Sequence, residues 1–278
     1  MAAQTVSVVI PTFNEEQSLP RTLRQFQRID GKWQVVVVDS GSSDRTVRIA
    51  RKAGAPVVED APDGRGAAMN VGATATSGEI LLFLHADTSL PDDAYWQITD
   101  RLASPDVAAT GFRYRSDRDG WRYRLLTPIG TARFRVQRTF FGDQAIAVRR
   151  EDFDEVGGYH EPNLMEDVDL SRRLRDRGRL ELLPSCVVTS ARRFERGGVF
   201  RTLGLMTLLQ IAYSLGISAE RLSRWYRHVR STDDDARRSV ERIGLADLDL
   251  IDAANEPVGM ADLVRSGPVL LVFLRWLG

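Results

Sequence analysis

The chain has 278 residues, 43% hydrophobic and 27% charged, which supports one large or two small cores and excludes wholesale disorder. Lysine plus arginine and aspartate plus glutamate both number 38, a zero net charge that excludes a basic nucleic-acid binder. One cysteine, Cys186, and three histidines, His85, His160 and His228, exclude a disulfide framework, a thiolate zinc centre and a histidine-rich metal site.

The opening Met1-Ala2-Ala3-Gln4 lacks the basic region of a secretion signal and runs straight into a strand pattern, so a cytoplasmic protein is expected. Residues 5–10 are β-rich, and Leu19, Leu23 and Phe26 then recur at helical spacing. Residues 35–38 are a continuous valine run, the pattern of a strand covered on both faces. Asp44 is placed to cap a helix carrying Val47, Ile49, Ala50 and Ala53. Residues 55–59 read as a third strand, 66–75 as a helix of small residues and 80–84 as a fourth strand, with Pro91 at the first position of the next helix. This alternation predicts βαβ units and an α/β fold with a mostly parallel central sheet flanked by helices.

Past residue 110 the regularity weakens. Residues 113–138 are rich in arginine and aromatic side chains without a clear period. A strand over 145–149, a turn at Gly157-Gly158 and a helix over 166–177 ended by Gly178 follow. Strand-like 180–183 and 186–189 come next, then two helices across 198–230. The uncharged run 202–219 approaches the length of a membrane span, but Gln210, Tyr213 and Ser214 favour a buried or interfacial helix. Residues 231–244 read as a solvated linker, and 245–278 restart a strand–turn–helix–strand pattern. The expected division is therefore a domain over 1–230, a linker over 231–244 and a fragment over 245–278.

Ligands of open α/β sheets bind beyond the carboxyl ends of the strands, and four successive strand ends here carry polar or glycine-rich loops. They are Pro11-Thr12-Phe13-Asn14-Glu15-Glu16, Asp39-Ser40-Gly41-Ser42-Ser43-Asp44, Asp63-Gly64-Arg65-Gly66 with Asn70 beyond it, and His85-Ala86-Asp87. Each alone is an ordinary turn or cap; four in register describe a built site. Asp39 suits a base N–H or a ribose hydroxyl, Arg65 offers a planar fork to phosphate oxygens, and Asp87 can hold a divalent cation that bridges to a diphosphate. A second cluster, Glu166-Asp167-Val168-Asp169, opens a helix whose dipole favours negative charge. Asp167 is positioned to take a proton from an attacking hydroxyl if that helix start faces the sheet edge. Asp143 and Gln144, just before a strand, either bind sugar hydroxyls or make a turn.

The PTFNEE, DSGSSDRT, GRGAAMNVGA, LHADT and MEDVDLSRRL segments together resemble the family 2 glycosyltransferases of GT-A fold, over about residues 4–230. The resemblance implies an inverting sugar transfer from a nucleotide-sugar donor, a UDP-sugar ahead of a GDP-sugar, assisted by Mn²⁺ or Mg²⁺. Pro11, Phe13, Glu15 and Asp39 would line the nucleoside pocket, with Arg65 and Asn70 nearby. Asp87 would be the last acid of the Asp-x-Asp metal motif, and Asp167, beside Glu166, the general base. His85 replaces the first metal-motif acid and Ser40 the second acid of the nucleoside loop, so His85 would be the second cation ligand. The run 190–198 and the apolar helix after it resemble a small bacterial branch found near radical-SAM and selenium-related genes. Arg192 or Arg193 would clamp the diphosphate there, and residues 199–219 would either pack on the domain or touch the inner membrane face beside a lipid-linked acceptor. A decayed nucleotide-sugar-binding scaffold and a sugar-phosphate nucleotidyltransferase are the alternatives.

Residues 245–278 resemble instead the opening of a peroxiredoxin-like thioredoxin fold, which runs into a redox cysteine or selenocysteine. The sequence stops at Gly278, where that residue is expected. A selenocysteine codon read as a stop, or a truncation, is the expectation, and the codon that follows decides it.

Overall fold

Strands buried on both faces build the sheet in the first half of the chain. The computed structural model describes residues 3–62, 64–160, 164–223, 249–251 and 257–259, and the chain divides into units over 1–222 and 223–278. In the first unit, β1 (Val6–Thr12) lies between β2 (Trp33–Asp39) and β4 (Ile80–Phe83), parallel to both, and β3 (Val57–Val58) extends β2. Val6, Val8, Ile10, Ile80 and Leu82 face α1 (Leu19–Arg24) and α4 (Ala94–Leu102) through Leu19, Leu23, Tyr95 and Ile98. Val9, Leu81 and Phe83 face the other way, onto Ala68, Met69 and Ala73 of α3 (Arg65–Thr74) and Leu170 and Leu174 of α8 (Glu166–Leu174). Both faces are dry, which is why these strands are apolar at nearly every position. Truncating a side chain such as Leu82 to alanine would cost about 2–5 kcal/mol. On the helical side, α2 (Thr46–Lys52) follows β2.

The helix α3 rests unusually close to the sheet. A methyl group at Gly72 would collide with the Val9 side chain and come within 2.9 Å of Val38 Cγ2. Small residues in this helix thus fix how deeply its first residue, Arg65, enters the strand edge.

The sheet is parallel only in its first half. Its eight strands run in the order β3-β2-β1-β4-β7-β6-β8-β5. The strand β7 (Ile146–Arg149) is antiparallel to both β4 and β6 (Val107–Ser116), and β6 is parallel to β8 (Arg179–Thr189). The short β5 (Thr88–Ser89) closes the edge antiparallel to β8.

Several local expectations change. The aperiodic stretch 113–138 holds the end of β6, α5 (Trp121–Arg124) and α6 (Leu126–Gln137). Its period is masked because α6 exposes apolar residues. The two strand-like pieces 180–183 and 186–189 are one strand, and the register skips Pro184 and Ser185 between Leu183 and Cys186, a bulge that accommodates a residue with no N–H. Pro91 precedes its helix by three residues and accepts the Ala94 N–H in a turn. The helix α7 (Arg150–Glu155) follows β7 directly, and α9 (Arg192–Gly197) and α10 (Val199–Ser214) follow β8. In the second unit, β9 (Asp249–Ile251) pairs antiparallel with β10 (Pro257–Gly259). The expected linker 231–244, the strand within 269–273 and the helix beyond 223 lie outside the described residues.

Gly178 does not adopt the left-handed cap conformation. Its reason is closeness: a Cβ there would lie 2.8 Å from the Asp106 carbonyl oxygen and 3.1 Å from the Ala108 nitrogen. Both are backbone atoms of the β6 entry and cannot swing away. Gly178→Ala should therefore destabilise the domain by about 1–3 kcal/mol in a urea titration; a change within experimental scatter would contradict this packing.

Candidate active site

The loops after β1 and β2 hold each other. Thr12 Oγ1 donates to Asp39 Oδ1 at 2.8 Å, and Ser42 donates through Oγ at 2.6 Å and through its N–H to Oδ2 at 2.8 Å. Asp39 is thereby only 2% exposed, with both oxygens committed to the loop and the outer lone pair of Oδ2 left over. Asn14, at φ 54°, accepts the Ser43 N–H and donates its own N–H to Ser42 Oγ. Asp44 accepts the Thr46 N–H at 2.8 Å and the Glu16 N–H besides, but it stands one residue ahead of the cap position expected of it, which Arg45 occupies. Pro11 sits beyond the last β1–β4 pair, Val9 and Phe83, so its missing N–H costs no hydrogen bond. Phe13 is 62% exposed, a ring offered at the strand edge.

The acidic start of α8 is buried in the same edge. Met165 takes a left-handed conformation, φ 63°, and turns Glu166 and Asp167 inward, to 1% and 7% exposure. The Arg65 guanidinium pairs with Glu166 Oε1 and sets Nη1 3.3 Å from His85 Nε2. Glu166 and Asp167 outweigh the burial that works against the Arg65 charge, so its pKa is raised. Asp167 Oδ2 accepts the Gly142 N–H at 2.7 Å, and Oδ1 the Val168 N–H at 2.8 Å. Burial foremost, then the Glu166 charge, push its pKa up to about 7, against Arg65 and the two N–H donors. Such a carboxylate changes state near neutral pH, which suits a general base.

The second group of charges is Glu15, Asp87 and Arg192. Arg192 Nη2 donates to Glu15 Oε2 at 2.8 Å and to Asp87 Oδ2 at 3.3 Å. A cation therefore already neutralises Asp87, and a divalent ion arriving with a diphosphate would replace a guanidinium. Among the described residues no group of three or more His, Cys, Asp or Glu is arranged to hold a metal ion. The donor set fits an ion held by one protein carboxylate, with phosphate oxygens and water completing the shell. His85, the expected second ligand, is engaged by Arg65.

Other expected residues serve the framework. Asn70 does not face a ligand: its amide donates to the Tyr159 carbonyl and accepts the Tyr159 N–H, both at 2.9 Å. Gln144 is likewise spent, accepting the Phe141 N–H and donating to the Phe112 carbonyl. That ties the loop ahead of β7 to β6 and leaves no amide for a sugar. The Asp143 carbonyl accepts from Thr189 Oγ1. The Arg193 side chain lies outside the described residues. Four participants carried no sequence signal: the Gly142 N–H, the left-handed Met165, Tyr159 and Arg133. The Tyr159 phenol is raised well above its usual range by burial and by Glu166 and Asp167. The Arg133 guanidinium lies 3.7 Å from the centre of the Phe141 ring and feels Asp143 and Asp167. A Cβ at Gly142 would stand 2.7 Å from His85 Nε2, so a side chain there would push against the imidazole ring.

Comparison with known proteins gives residues 7–166 a match to Glycosyl transferase family 2. A dolichyl-phosphate hexose transferase of Haloferax volcanii is 41% identical over 87 residues, 31% of this chain and 38% of the relative. A 4,4'-diaponeurosporenoate glycosyltransferase of Staphylococcus haemolyticus is 36% identical over 97 residues, 32% of this chain and 26% of the relative. The match thus spans well under half of either relative. Among solved structures, a Pyrobaculum calidifontis mannosyltransferase in complex with GDP-Man and Mn²⁺ superposes with a TM-score of 0.62 at 20% identity, covering 96% of this chain and 80% of its own. Glucosyl-3-phosphoglycerate synthase of Mycobacterium tuberculosis, in complex with Mn²⁺, UDP and glucosyl-3-phosphoglycerate, gives 0.54 at 23% identity, covering 78% and 82%. These likenesses show that the first unit has the GT-A fold.

The Asp167 environment has a consequence for stability. A pKa of about 7 in the fold, against an ordinary value of 3.8, means that the folded state binds the proton more tightly. This contribution is complete below pH ~3.8 and is lost as pH rises to about 7. Asp167→Asn, neutral throughout, should gain on the parent between pH 5 and pH 8, by ~2–4 °C in melting temperature per kcal/mol. A pH-independent gap would show that the carboxylate is already ionised at pH 5.

Proposed function

The chain belongs to glycosyl transferase family 2, and from that premise we propose that it transfers a sugar from a nucleoside-diphosphate donor to an acceptor hydroxyl with inversion. The observation that carries the reading is Asp167, a buried carboxylate pushed up to about 7 and held by the Gly142 N–H at the sheet edge. Asp167 removes the acceptor proton as the hydroxyl oxygen attacks the anomeric carbon. The bond from that carbon to the diphosphate oxygen breaks, and its electron pair leaves on the diphosphate. Glu166 holds Arg65 in place and keeps its charge beside the base. Phe13, Pro11, Glu15 and Asp39 line the nucleoside side, and Arg65 and Arg192 face the phosphates.

A divalent cation, Mn²⁺ or Mg²⁺, would be held by Asp87 and would offset the negative charge of the leaving diphosphate. The Mn²⁺ in the complexes of both structural neighbours supports this. Arg192 then exchanges its Asp87 contact for a phosphate oxygen. One neighbour holds UDP and the other GDP-Man, which supports a UDP-sugar or a GDP-sugar as donor. The dolichyl-phosphate hexose transferase among the relatives supports a lipid-linked acceptor.

Thermal stability against UDP, GDP, CDP and dTDP, with and without Mn²⁺, tests the donor half. A nucleotide at a hundred times its dissociation constant adds about 2.7 kcal/mol, and Asp87→Asn should abolish the Mn²⁺-dependent part. No shift with any nucleotide would favour a scaffold that has lost catalysis. Turnover tests the base. Asp167→Asn should lower kcat by roughly 10²–10⁴-fold, whereas a scaffold would be indifferent. Gly142→Ala, which displaces the N–H that lowers the Asp167 pKa, should move the rising limb of the pH–rate profile to higher pH. An unmoved limb would assign that limb to another group.

A further inference from the structure

The helix α10 is largely apolar, yet among the described residues one side of it is left exposed. Val199, Thr202, Leu209 and Gln210 are buried. Phe200, Leu208, Ile211 and Leu215 form a second stripe, at helical spacing, that stays exposed, Leu215 to 78%. A helix of this kind ordinarily sits inside a core or in a lipid environment. No helix among the described residues is long and apolar enough to cross a membrane. The exposed stripe continues onto α5. Trp121, 63% exposed, contacts Phe200 with ring centres 6.1 Å apart, and beneath them Tyr114, Leu126 and Val199 join the two elements in one cluster. Leu125, just ahead of α6, and Ile129 and Val136 on it are exposed as well.

Charge identifies the occupant. Between Trp121 and Arg138, and between Gly198 and Ala219, every ionised residue is an arginine: Arg122, Arg124, Arg133, Arg135, Arg138 and Arg201. No acid interrupts them, in a chain whose charges balance at 38 each overall. All but Arg133 are exposed. A second copy docking by a two-fold axis would bring arginine against arginine. An anionic bilayer satisfies both features: apolar side chains enter the acyl boundary, and guanidinium groups meet lipid phosphates.

We propose that the face built from α5, α6 and α10 docks on an anionic lipid surface and lies in its plane. The same elements lead to the carboxylate cluster. Arg133 donates to Gln210 of α10 and stacks on Phe141, and the next residue, Gly142, donates to Asp167. On the glycosyltransferase reading, which this clause rests on, docking presents a lipid-borne hydroxyl to the base from the membrane side.

Vesicle flotation of the full chain tests the docking by itself. The chain should float with vesicles of phosphatidylcholine and phosphatidylglycerol, and not with phosphatidylcholine alone, and 0.5 M salt should weaken the binding. Arg122→Glu with Arg124→Glu should lower the partition coefficient by roughly tenfold or more. Trp121→Ser with Phe200→Ser, both on the surface, should also release the chain. Trp96→Ser, exposed elsewhere, should not. Asp167→Asn should float like the parent, so loss of the catalytic reading and loss of docking give different results. Absence from anionic vesicles would overturn the proposal, as would binding that survives both double variants. A dimer in sedimentation equilibrium that Trp121→Ser with Phe200→Ser dissolves would assign the face to a second copy and overturn it too.

Discussion

Two carboxylates and one guanidinium share a buried space at the strand edge, and the site follows from that imbalance. Arg65 reaches Glu166 and leaves Asp167 with two backbone N–H donors and no ion pair of its own. Burying an unpaired charge is costly, and the usual response is a shifted pKa. The protein therefore stores, beside the sheet edge, a group that changes its ionisation state near physiological pH. A second arginine on Asp167 would return it to the ordinary carboxylate range and leave a weaker base. A missing Arg65 would strand Glu166 as well, so the pair and the base stand or fall together.

The position of Arg65 is in turn a packing result. It opens α3, whose glycine and alanines let the helix backbone approach β1 and β2 until Gly72 has no room for a methyl group. A helix of ordinary side chains would stand further off and withdraw the guanidinium from Glu166. Glycine at 142 works the same way from the opposite wall, where His85 and Arg65 fill the space a side chain would need. The close approaches are made by residues with little or no side chain, and the charges meet between them.

This explains what the sequence could and could not disclose. The parallel strands were legible because their alternation and valine runs report local burial, and Arg65, Asp87 and Asp167 were legible because strand ends and a helix start mark where polar residues converge. Asn70 and Gln144 misled because an amide that ties two backbones together has the same sequence signature as one that binds a sugar. The Gly142 N–H and the left-handed Met165 left no signature, since backbone donors and backbone angles are not residue types. The antiparallel insertion of β7 between β4 and β6 depends on pairing across more than sixty residues, which no local period encodes. In 113–138 the helical period was hidden because α6 is apolar on its exposed side as well as its buried one.

Arginine does three different jobs in this chain, and its geometry separates them. At Arg65 the guanidinium is half-buried, and its partner, Glu166, is a buried carboxylate. At Arg192 it bridges two acids that belong to different loops, Glu15 and Asp87, so one of the two negative charges at that edge is offset before any ligand arrives. A cation–diphosphate pair that enters there brings its own balance, positive toward Asp87 and negative toward Arg192. The exchange leaves the local net charge little changed, which keeps the desolvation penalty of binding small. On α5 and α6 Arg122, Arg124 and Arg135 are exposed beside aromatic and aliphatic side chains and have no ion pair among the described residues, whereas Arg133 feels Asp143 and Asp167. Ion-paired arginines hold the site together, while the exposed ones, with no ion pair among the described residues, are left to meet an outside partner.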